Sequence, residues 1–377
     1  MTKTNYINAS IYSSEKQTFI DNQFMTVDDA TGKIIAVGTG TPDTIAEQTT
    51  DMQGKYVMPG IMNAHTHITS IPTYWWHDGQ EDRHPESREY NTMYAIHNMQ
   101  DMVNHGVTYI RNVGAHEVDG VDAVVQGVRQ ALKMGVDNIK MMVTGGVLRN
   151  GETPDDIQFN FEEVQAAVAE AHHKGKTVAA HAQGNAGVKE AVQAGVDTVE
   201  HAFDIDDETI EMMRQHGTVI VPTMNAMYAI YKYGEKTVPA WAREKVIVNI
   251  KKHFASITKA AAAGIPIAMG TDAGTPYNGF EDESAYEMQL YVDKAGMTPA
   301  QAIDTATINC ARAMHVADEY GTISAGKFAD FIAMTANPIE DIRVIQQDKD
   351  VFQHGIQVHQ AAKTAGVDEQ VPVRQVG

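Results

Sequence analysis

The chain has 377 residues, 43% of them hydrophobic and 21% charged, a composition that excludes a disordered or low-complexity protein. Its 29 basic and 49 acidic side chains give a formal net charge of −20, so we expect neither nucleic acid nor an anionic membrane as a partner. The one cysteine, Cys310, allows no internal disulfide and is predicted to be buried, because its neighbours are small or apolar. These features, and the lack of a signal-peptide pattern or a long apolar run, favour the cytoplasm.

The first 57 residues read as short strands and turns. Residues 6–12, 23–27 and 33–37 are β-prone runs, and the pairs Asp28-Asp29 and Thr31-Gly32 interrupt them. From Tyr56 onward, short apolar runs alternate with longer segments of helical period.

This alternation predicts parallel strands joined by crossover helices. The predicted strands are residues 56–64, 107–113, 138–143, 177–180, 196–199, 218–221 and 265–269. The predicted helices are residues 92–104, 121–134, 161–173, 186–194, 207–216, 241–263, 281–295 and 298–314. Seven strands are one fewer than a closed barrel requires. After Gly321 the chain returns to strand-like runs at 328–334 and 351–358.

The pattern therefore predicts an α/β protein with a TIM-type (β/α)8 barrel whose third strand is missing or shortened. A small β-sandwich domain would be built from both termini. The expected boundaries are residues 1–57 plus 319–377 for the β-sandwich and 58–318 for the barrel.

Residues of metal-binding type follow several of these strands. His65-Thr66-His67 comes at the end of the first barrel strand, and side chains at i and i+2 of an extended segment point the same way. His181, His201 and Asp272 follow three later strands, and strand ends form one ring at the mouth of a barrel. Histidines and a carboxylate with open positions are the ligands of a catalytic zinc-type site.

Lys140 lies within the apolar run of residues 138–143. It either extends its amine from the strand end to solvent or is a neutral amine that reacts with carbon dioxide to form a carbamate. The remaining histidines are interpreted differently. Those expected on helix surfaces are His97, His172, His173, His216 and His253, and those in loops that could line the barrel mouth are His77, His84 and His116.

The order of these residues resembles the amidohydrolase superfamily. The matching pieces are residues 58–67, 139–146, 178–181, 199–201 and 269–274, and residues 321–330 resemble that family's return into its small β domain. Within the superfamily, the chain is most similar to the prolidase-like and imidazolonepropionase-related branch that carries a carboxylated lysine.

The resemblance implies two divalent metal ions of the zinc type. His65, His67 and Asp272 would hold one ion, His181 and His201 the other, and carboxylated Lys140 would bridge them. Metal-activated hydroxide would attack the substrate carbonyl, and catalytic Asp272 would move the proton to the leaving amine. Tyr228 matches a tyrosine expected to bind substrate, although it could equally be a packing residue.

One stretch departs from the resemblance. Relatives of this branch carry a third strand and a glycine- and histidine-containing loop, where this chain has only residues 114–117. Asn112 also stands where relatives commonly have aspartate. We expect a neighbouring segment or a second subunit to fill the gap.

The predicted function is hydrolysis of an amide, peptide-like C–N bond in a small molecule such as a dipeptide or an N-acyl amino acid. The alternatives are a cyclic-amide hydrolase like imidazolonepropionase, a lactone or phosphotriester hydrolase, and a non-catalytic binding protein that retains the fold. A homo-oligomer is possible. The loop at residues 73–88 is expected to decide substrate choice.

Overall fold

The computed structural model describes residues 2–70, 88–114 and 120–362. Its strands are β1 (Lys3–Ser13), β2 (Thr18–Asp28), β3 (Lys33–Thr39), β4 (Gln48–Asp51), β5 (Tyr56–Pro59), β6 (Ile61–Thr66), β7 (Val107–Asn112), β8 (Asn138–Met142), β9 (Thr177–Ala182), β10 (Thr198–His201), β11 (Val219–Val221), β12 (Phe331–Met334), β13 (Asp350–Gln353) and β14 (Ile356–His359). Its helices are α1 (Arg88–Asn104), α2 (Val121–Lys133), α3 (Phe161–His172), α4 (Asn185–Ala194), α5 (Asp207–His216), α6 (Met224–Tyr233), α7 (Ala240–Ala262), α8 (Glu283–Ala295), α9 (Pro299–Asp304) and α10 (Cys310–Ala313). A π-helical turn, Thr305–Asn309, joins α9 to α10, and a 3-10 helix spans Ile342–Gln346.

Strands from both ends of the described chain form one eight-stranded sheet. Seven of them follow the order β14-β13-β12-β5-β1-β2-β3, and β4 pairs with β1. Its largely aliphatic core contains three packed aromatic rings: the Phe331 and Phe352 rings stack at 4.3 Å, and Tyr6 meets Phe331 edge-on at 5.2 Å. The strands predicted at 6–12, 23–27 and 33–37 are confirmed within β1, β2 and β3. The division into two domains at residues 57 and 319 stays a prediction.

The single strand predicted at residues 56–64 is wrong in one respect, because Gly60 divides it. β5 pairs with β1 and β12 in the eight-stranded sheet, whereas β6 pairs with β7 in the barrel. A Cβ atom at Gly60 would overlap the Thr108 side chain, so only glycine fits where the chain passes from one sheet to the other.

The barrel strands are parallel. β8, β9, β10 and β11 form one four-stranded sheet, and β6 and β7 form a two-stranded one. The segment 265–269 connects the two sheets: Ala268 donates its N–H to Ile220 at 2.9 Å, and Met269 accepts one from Ala64 at 2.8 Å. We predicted a regular strand here, but only an isolated bridge at Ile267 forms. Pro266 has no N–H to donate, so the ladder is incomplete.

Between β7 and β8, the described residues show no strand pairing. This break falls where the sequence analysis found the third strand missing. The predicted neighbouring segment or subunit stays untested, because residues 115–119 lie outside the described chain.

Helices of the barrel pack their apolar faces against the strands, as the periodicity predicts. In α2, for example, Val124 and Val128 are buried. The predicted stops are confirmed at Gly195, Gly217 and Gly296, which adopt the left-handed conformation just after α4, α5 and α8. Thr298 caps α9 as predicted, with Pro299 at the first helical position.

Two further expectations need correction. The run 351–358 is not one strand but a hairpin, since His354 and Gly355 form the turn between β13 and β14. His253 is not a surface residue. It is fully buried on the inner face of α7, where its ring lies 4.5 Å from that of Phe203 and Nε2 donates to the Pro222 carbonyl at 2.9 Å. The other four helix histidines are exposed, as predicted.

Cys310 is fully buried, as predicted. Its thiol contacts the Met62 carbonyl oxygen at 3.3 Å and that of Met269 at 3.2 Å, beneath the strand ends that carry the candidate site. Burial raises the pKa of the thiol to about 12. Among the described helices, none combines the length and the apolar character needed to cross a bilayer.

Candidate metal centre and active site

Side chains of metal-ligand type converge at the carboxyl ends of the barrel strands. Ligand atoms of His65, His201 and Asp272 all lie within 4.8 Å of one another. Nε2 of His65 is 3.3 Å from Asp272 Oδ1, and Nε2 of His67 is 2.9 Å from the same oxygen. These residues come from the ends of β6 and β10 and from the turn after residues 265–269, so three segments of the barrel meet at one point.

His181 joins this group from β9. Its ring centroid is 4.5 Å from that of His201, which in turn is 5.2 Å from that of His65. The structure therefore brings together the four histidines and the aspartate that the sequence singled out. Their role as metal ligands stays a prediction.

Lys140 lies on β8 and is half-buried. In the described ranges its amine has neither a hydrogen-bond acceptor nor an ion-pair partner. Burial lowers the pKa of Lys140 to about 8, although the charges of Glu200 and Asp272 oppose the shift. An unpartnered amine with a lowered pKa is suited to reaction with carbon dioxide.

Two of the histidines are held through Nδ1. That atom of His65 lies 2.5 Å from Glu200 Oε2, and that of His201 lies 2.7 Å from Thr223 Oγ1. When Nδ1 is engaged in this way, Nε2 is left to face the cluster, which is the usual arrangement of metal-binding histidines.

The backbone at the site is strained. His201, Thr223 and Asp272 adopt left-handed conformations, with φ of 77°, 54° and 58°. Non-glycine residues seldom adopt such angles, and they persist where surrounding contacts hold them. At Asp272, the Asn278 amide donates to its carbonyl oxygen at 2.9 Å, and the Asp272 N–H donates to His65 O at 2.9 Å.

The electrostatics favour neutral His181 and His201 and an ionised Asp272. Burial lowers the pKa of His181 to about 3, and burial together with His181 lowers that of His201 well below its usual value. Burial alone would raise the pKa of Asp272, but His65 and His67 outweigh it and hold the pKa well below its usual value. Neutral imidazoles and an ionised carboxylate are the forms that bind a metal ion.

This donor set fits divalent metal ions. Imidazole nitrogens and a carboxylate suit zinc and similar metals, and the half-buried, unpartnered amine of Lys140 lies on the neighbouring strand. The residues that would hold the ions are His65, His67, Asp272, His181, His201 and Lys140.

Comparisons with known proteins identify the family. The model of the amidohydrolase family matches residues 56–355, which include every barrel strand and reach β13. This chain belongs to the amidohydrolase family.

Three relatives of this amidohydrolase are informative. Ochratoxinase of Aspergillus niger is 35% identical over 238 residues, which are 62% of this chain and 48% of that protein, so the chain spans about half the length of this curated relative. Imidazolonepropionase of Caldanaerobacter subterraneus subsp. tengcongensis is 21% identical over 379 residues, covering 85% of this chain and 86% of that protein. A crystal structure of a Xaa-Pro dipeptidase with bound methionine superposes with a TM-score of 0.84 at 27% identity, covering 94% of this chain and 99% of that one.

Such neighbours imply a TIM barrel with a β-sandwich, the coarse architecture predicted from the sequence. In this amidohydrolase, however, the barrel sheet is interrupted between β7 and β8 across the described residues. Asn112, at the end of β7, accepts the N–H of Ile68 at 2.9 Å, so it braces the turn that follows His67.

Tyr228 lies on α6, directly after β11. Its ring is 6.3 Å from that of Phe254 and 6.1 Å from that of Tyr286, both on neighbouring helices. Among the described residues, no contact links Tyr228 to the histidines, and its role in substrate binding stays a prediction.

Several predicted mouth residues cannot be placed. His77, His84 and most of the 73–88 loop lie outside the described chain, as does His116.

Sequence reasoning missed the side chains that hold the candidate ligands. These side chains are buried, and they are Arg111, Glu200 and Thr223. Glu200 contacts His65 and Thr223 contacts His201, whereas Arg111 contacts Glu200. One signal was available: Arg111 and Glu200 are charged residues within strands, where a buried ionised group must be paired.

Proposed function

We propose that this amidohydrolase cleaves an amide, peptide-like C–N bond in a small molecule, as a dipeptidase of the prolidase type or an N-acyl amino acid hydrolase. The convergence of His65, His201 and Asp272 within 4.8 Å carries this proposal. His67 and His181 complete the group.

In the proposed arrangement, His65, His67 and Asp272 would hold one ion, and His181 and His201 would hold a second. Lys140, carboxylated on its amine, would supply a further ligand. When bound, the ions supply Lewis-acid activation of water and of the scissile carbonyl.

Asp272 is the proposed catalytic residue. Its carboxylate is ionised and 13% exposed, so an oxygen can accept a proton from the attacking water. The same oxygen then returns that proton to the nitrogen of the leaving amine as the C–N bond breaks. The oxygen and one hydrogen of the water thus go to the acid product, and its other hydrogen goes to the amine product.

The relatives support this substrate class. One solved relative is named a Xaa-Pro dipeptidase, and a curated relative is named ochratoxinase. Imidazolonepropionase matches most of the chain and favours cyclic amides as the second candidate. Lactones and phosphotriesters would use the same ligands, and a non-catalytic binding protein is the alternative from another class.

The test begins with the metal content of protein purified without chelator, measured by mass spectrometry. We expect about two ions per chain. The same preparation is then assayed on Xaa-Pro dipeptides, other dipeptides, N-acyl amino acids including ochratoxin, and imidazolonepropionate.

Hydrolysis of dipeptides or N-acyl amino acids supports the proposal, and hydrolysis of imidazolonepropionate alone supports the second candidate. One ion per chain would contradict the bridge at Lys140. No ion, even after metal and bicarbonate are supplied, would favour the binding protein. A cytoplasmic location and a homo-oligomer stay predictions.

A further inference from the structure

A chain of buried contacts runs across the barrel beneath the candidate metal site. Arg111 on β7 donates from Nη2 to Glu200 Oε1 on β10 at 2.8 Å, and Glu200 Oε2 lies 2.5 Å from Nδ1 of His65 on β6. The exposed fractions of the three residues are 5%, 0% and 1%. Buried charged groups of this kind are retained only when they are paired.

Glu200 uses both of its oxygens. Oε1 accepts from Arg111 and also from the Thr198 hydroxyl at 2.6 Å, so Oε2 is left for His65. A carboxylate can only accept hydrogen bonds, and therefore Nδ1 of His65 must carry the proton. Nε2 is then the nitrogen left to face Asp272 and His201, and it is the one available to a metal ion.

Arg111 acts on His65 by a second route. Its Nε donates to the carbonyl oxygen of Ala64 at 2.6 Å, which fixes the backbone immediately before His65. Arg111 also lies on the strand beside the break in the barrel sheet. Its side chain thus links β7 to β10 through the barrel interior, which the strand pairing of β7 does not do.

We propose that Arg111 and Glu200 are positioning residues that fix the tautomer and orientation of His65, and thereby set the affinity of the metal position at His65, His201 and Asp272. The inference rests on the proposed function, because it assumes that this position binds a metal ion. Neither residue contacts the substrate in this scheme.

The main test is the Glu200→Gln variant, which keeps the size of the side chain. Its amide oxygen replaces Oε1 toward Arg111 and Thr198, so its NH2 group faces His65 and requires Nδ1 to accept. The proton of His65 then moves to Nε2, where it blocks a metal ion. We expect the Kd for Zn²⁺, measured by chelator competition, to rise about 10- to 100-fold.

Two further variants separate positioning from general damage. Arg111→Lys keeps the charge but cannot donate to Ala64 and Glu200 together in the same planar geometry, so we expect an intermediate loss of Zn²⁺ affinity. Glu163→Gln is the matched control. Glu163, on α3, is also a buried glutamate. Its carboxylate accepts from the backbone N–H groups of Gly120 and Asn160, at 2.8 and 2.9 Å. Its variant should bind Zn²⁺ like the wild type.

A second measurement needs no folded variant at Glu200. In metal-free wild-type protein, the 15N chemical shifts of His65, assigned with a His65→Gln sample, should show a protonated Nδ1. The reverse tautomer would overturn the inference. So would wild-type Zn²⁺ affinity in a folded Glu200→Gln protein, which would leave the proposed function intact. A wild-type protein that binds no Zn²⁺ would instead contradict the proposed function, and the inference with it.

Discussion

Two groups of one aspartate and two histidines lie at opposite ends of the barrel. At the mouth, Asp272 meets His65 and His67, whose side chains are 1% and 32% exposed. At the other end, Asp197 meets His172 at 2.9 Å and His315 at 3.8 Å, with side chains 43% and 60% exposed. The composition is the same, so the residue types alone do not make the site.

The difference lies in what surrounds each group. The lower group, Asp197 with His172 and His315, lines an open cavity of about 1010 Å³, where solvent screens the charges. The upper group, Asp272 with His65 and His67, has a further histidine, His201, close to Asp272. The imidazoles of His65 and His201 are buried and held through Nδ1. Burial, a further histidine and fixed orientation therefore distinguish the candidate metal centre from the exposed contacts of Asp197.

The largest expected effect is at the aspartates. Asp272→Asn should lower kcat/KM by about 10²- to 10⁴-fold, because the amide cannot accept the proton, and should weaken metal binding as well. Asp197→Asn is the matched control, since an amide oxygen still accepts the Val178 N–H that Asp197 binds at 2.7 Å. Its kcat/KM and metal content should equal those of the wild type. Equal losses in both variants would erase the distinction between the two ends.

The second prediction compares a buried with an exposed histidine through the pH dependence of stability. Burial lowers the pKa of His253 to about 3, so the unfolded chain, in which the pKa is near 6.5, binds more protons between these values. The free energy of unfolding should therefore fall as the pH is lowered from about 6.5 towards 3, with His253 contributing about 1.4 kcal/mol per pH unit.

Urea unfolding of metal-free protein at several pH values measures this slope. In His253→Gln the slope should be smaller, whereas in His172→Gln, at an exposed position, it should match the wild type. An unchanged slope in His253→Gln would show that His253 does not carry the pH dependence.

A smaller effect is expected at Thr223, which is the hydrogen-bond partner of His201 Nδ1. Thr223→Val keeps the shape of the side chain but removes the hydroxyl, and we expect Zn²⁺ affinity to fall about tenfold. Thr218→Val changes another buried threonine next to the other end of β11, where the hydroxyl contacts the Val196 carbonyl at 3.4 Å. That variant should keep wild-type affinity. A loss in both would indicate damage to β11 instead of loss of the contact with His201.

The smallest effect is expected at the lower group. His172→Gln should change the free energy of unfolding by less than about 1 kcal/mol, because exposed ion pairs contribute little. Metal content should not change. Loss of metal in this variant would mean that the two ends of the barrel are coupled.

The sequence predicted what depends on local pattern. Apolar period and glycine stops located most helices and strands, and strand-end positions identified the residues that converge at Asp272. Errors arose where distant segments decide the outcome. The division at Gly60 depends on Thr108, and the burial of His253 depends on Phe203.

Helix α6 was also missed. It begins directly after Thr223, whose left-handed backbone turns the chain from β11 into a helix without a loop. The contacts of Glu200 join residues 135 and 89 positions away along the chain, and no periodicity reports such contacts.

Cys310 allows the opening rate of the barrel core to be measured. It is the only thiol in the chain, and its raised pKa and complete burial leave almost no reactive thiolate in the folded protein. A thiol reagent can therefore modify it only when the strands that carry Met62 and Met269 separate from the helix beneath them. The labelling rate then reports how often the core opens, and the thiol of the chain itself serves as the probe. A bound metal ion should lower that rate.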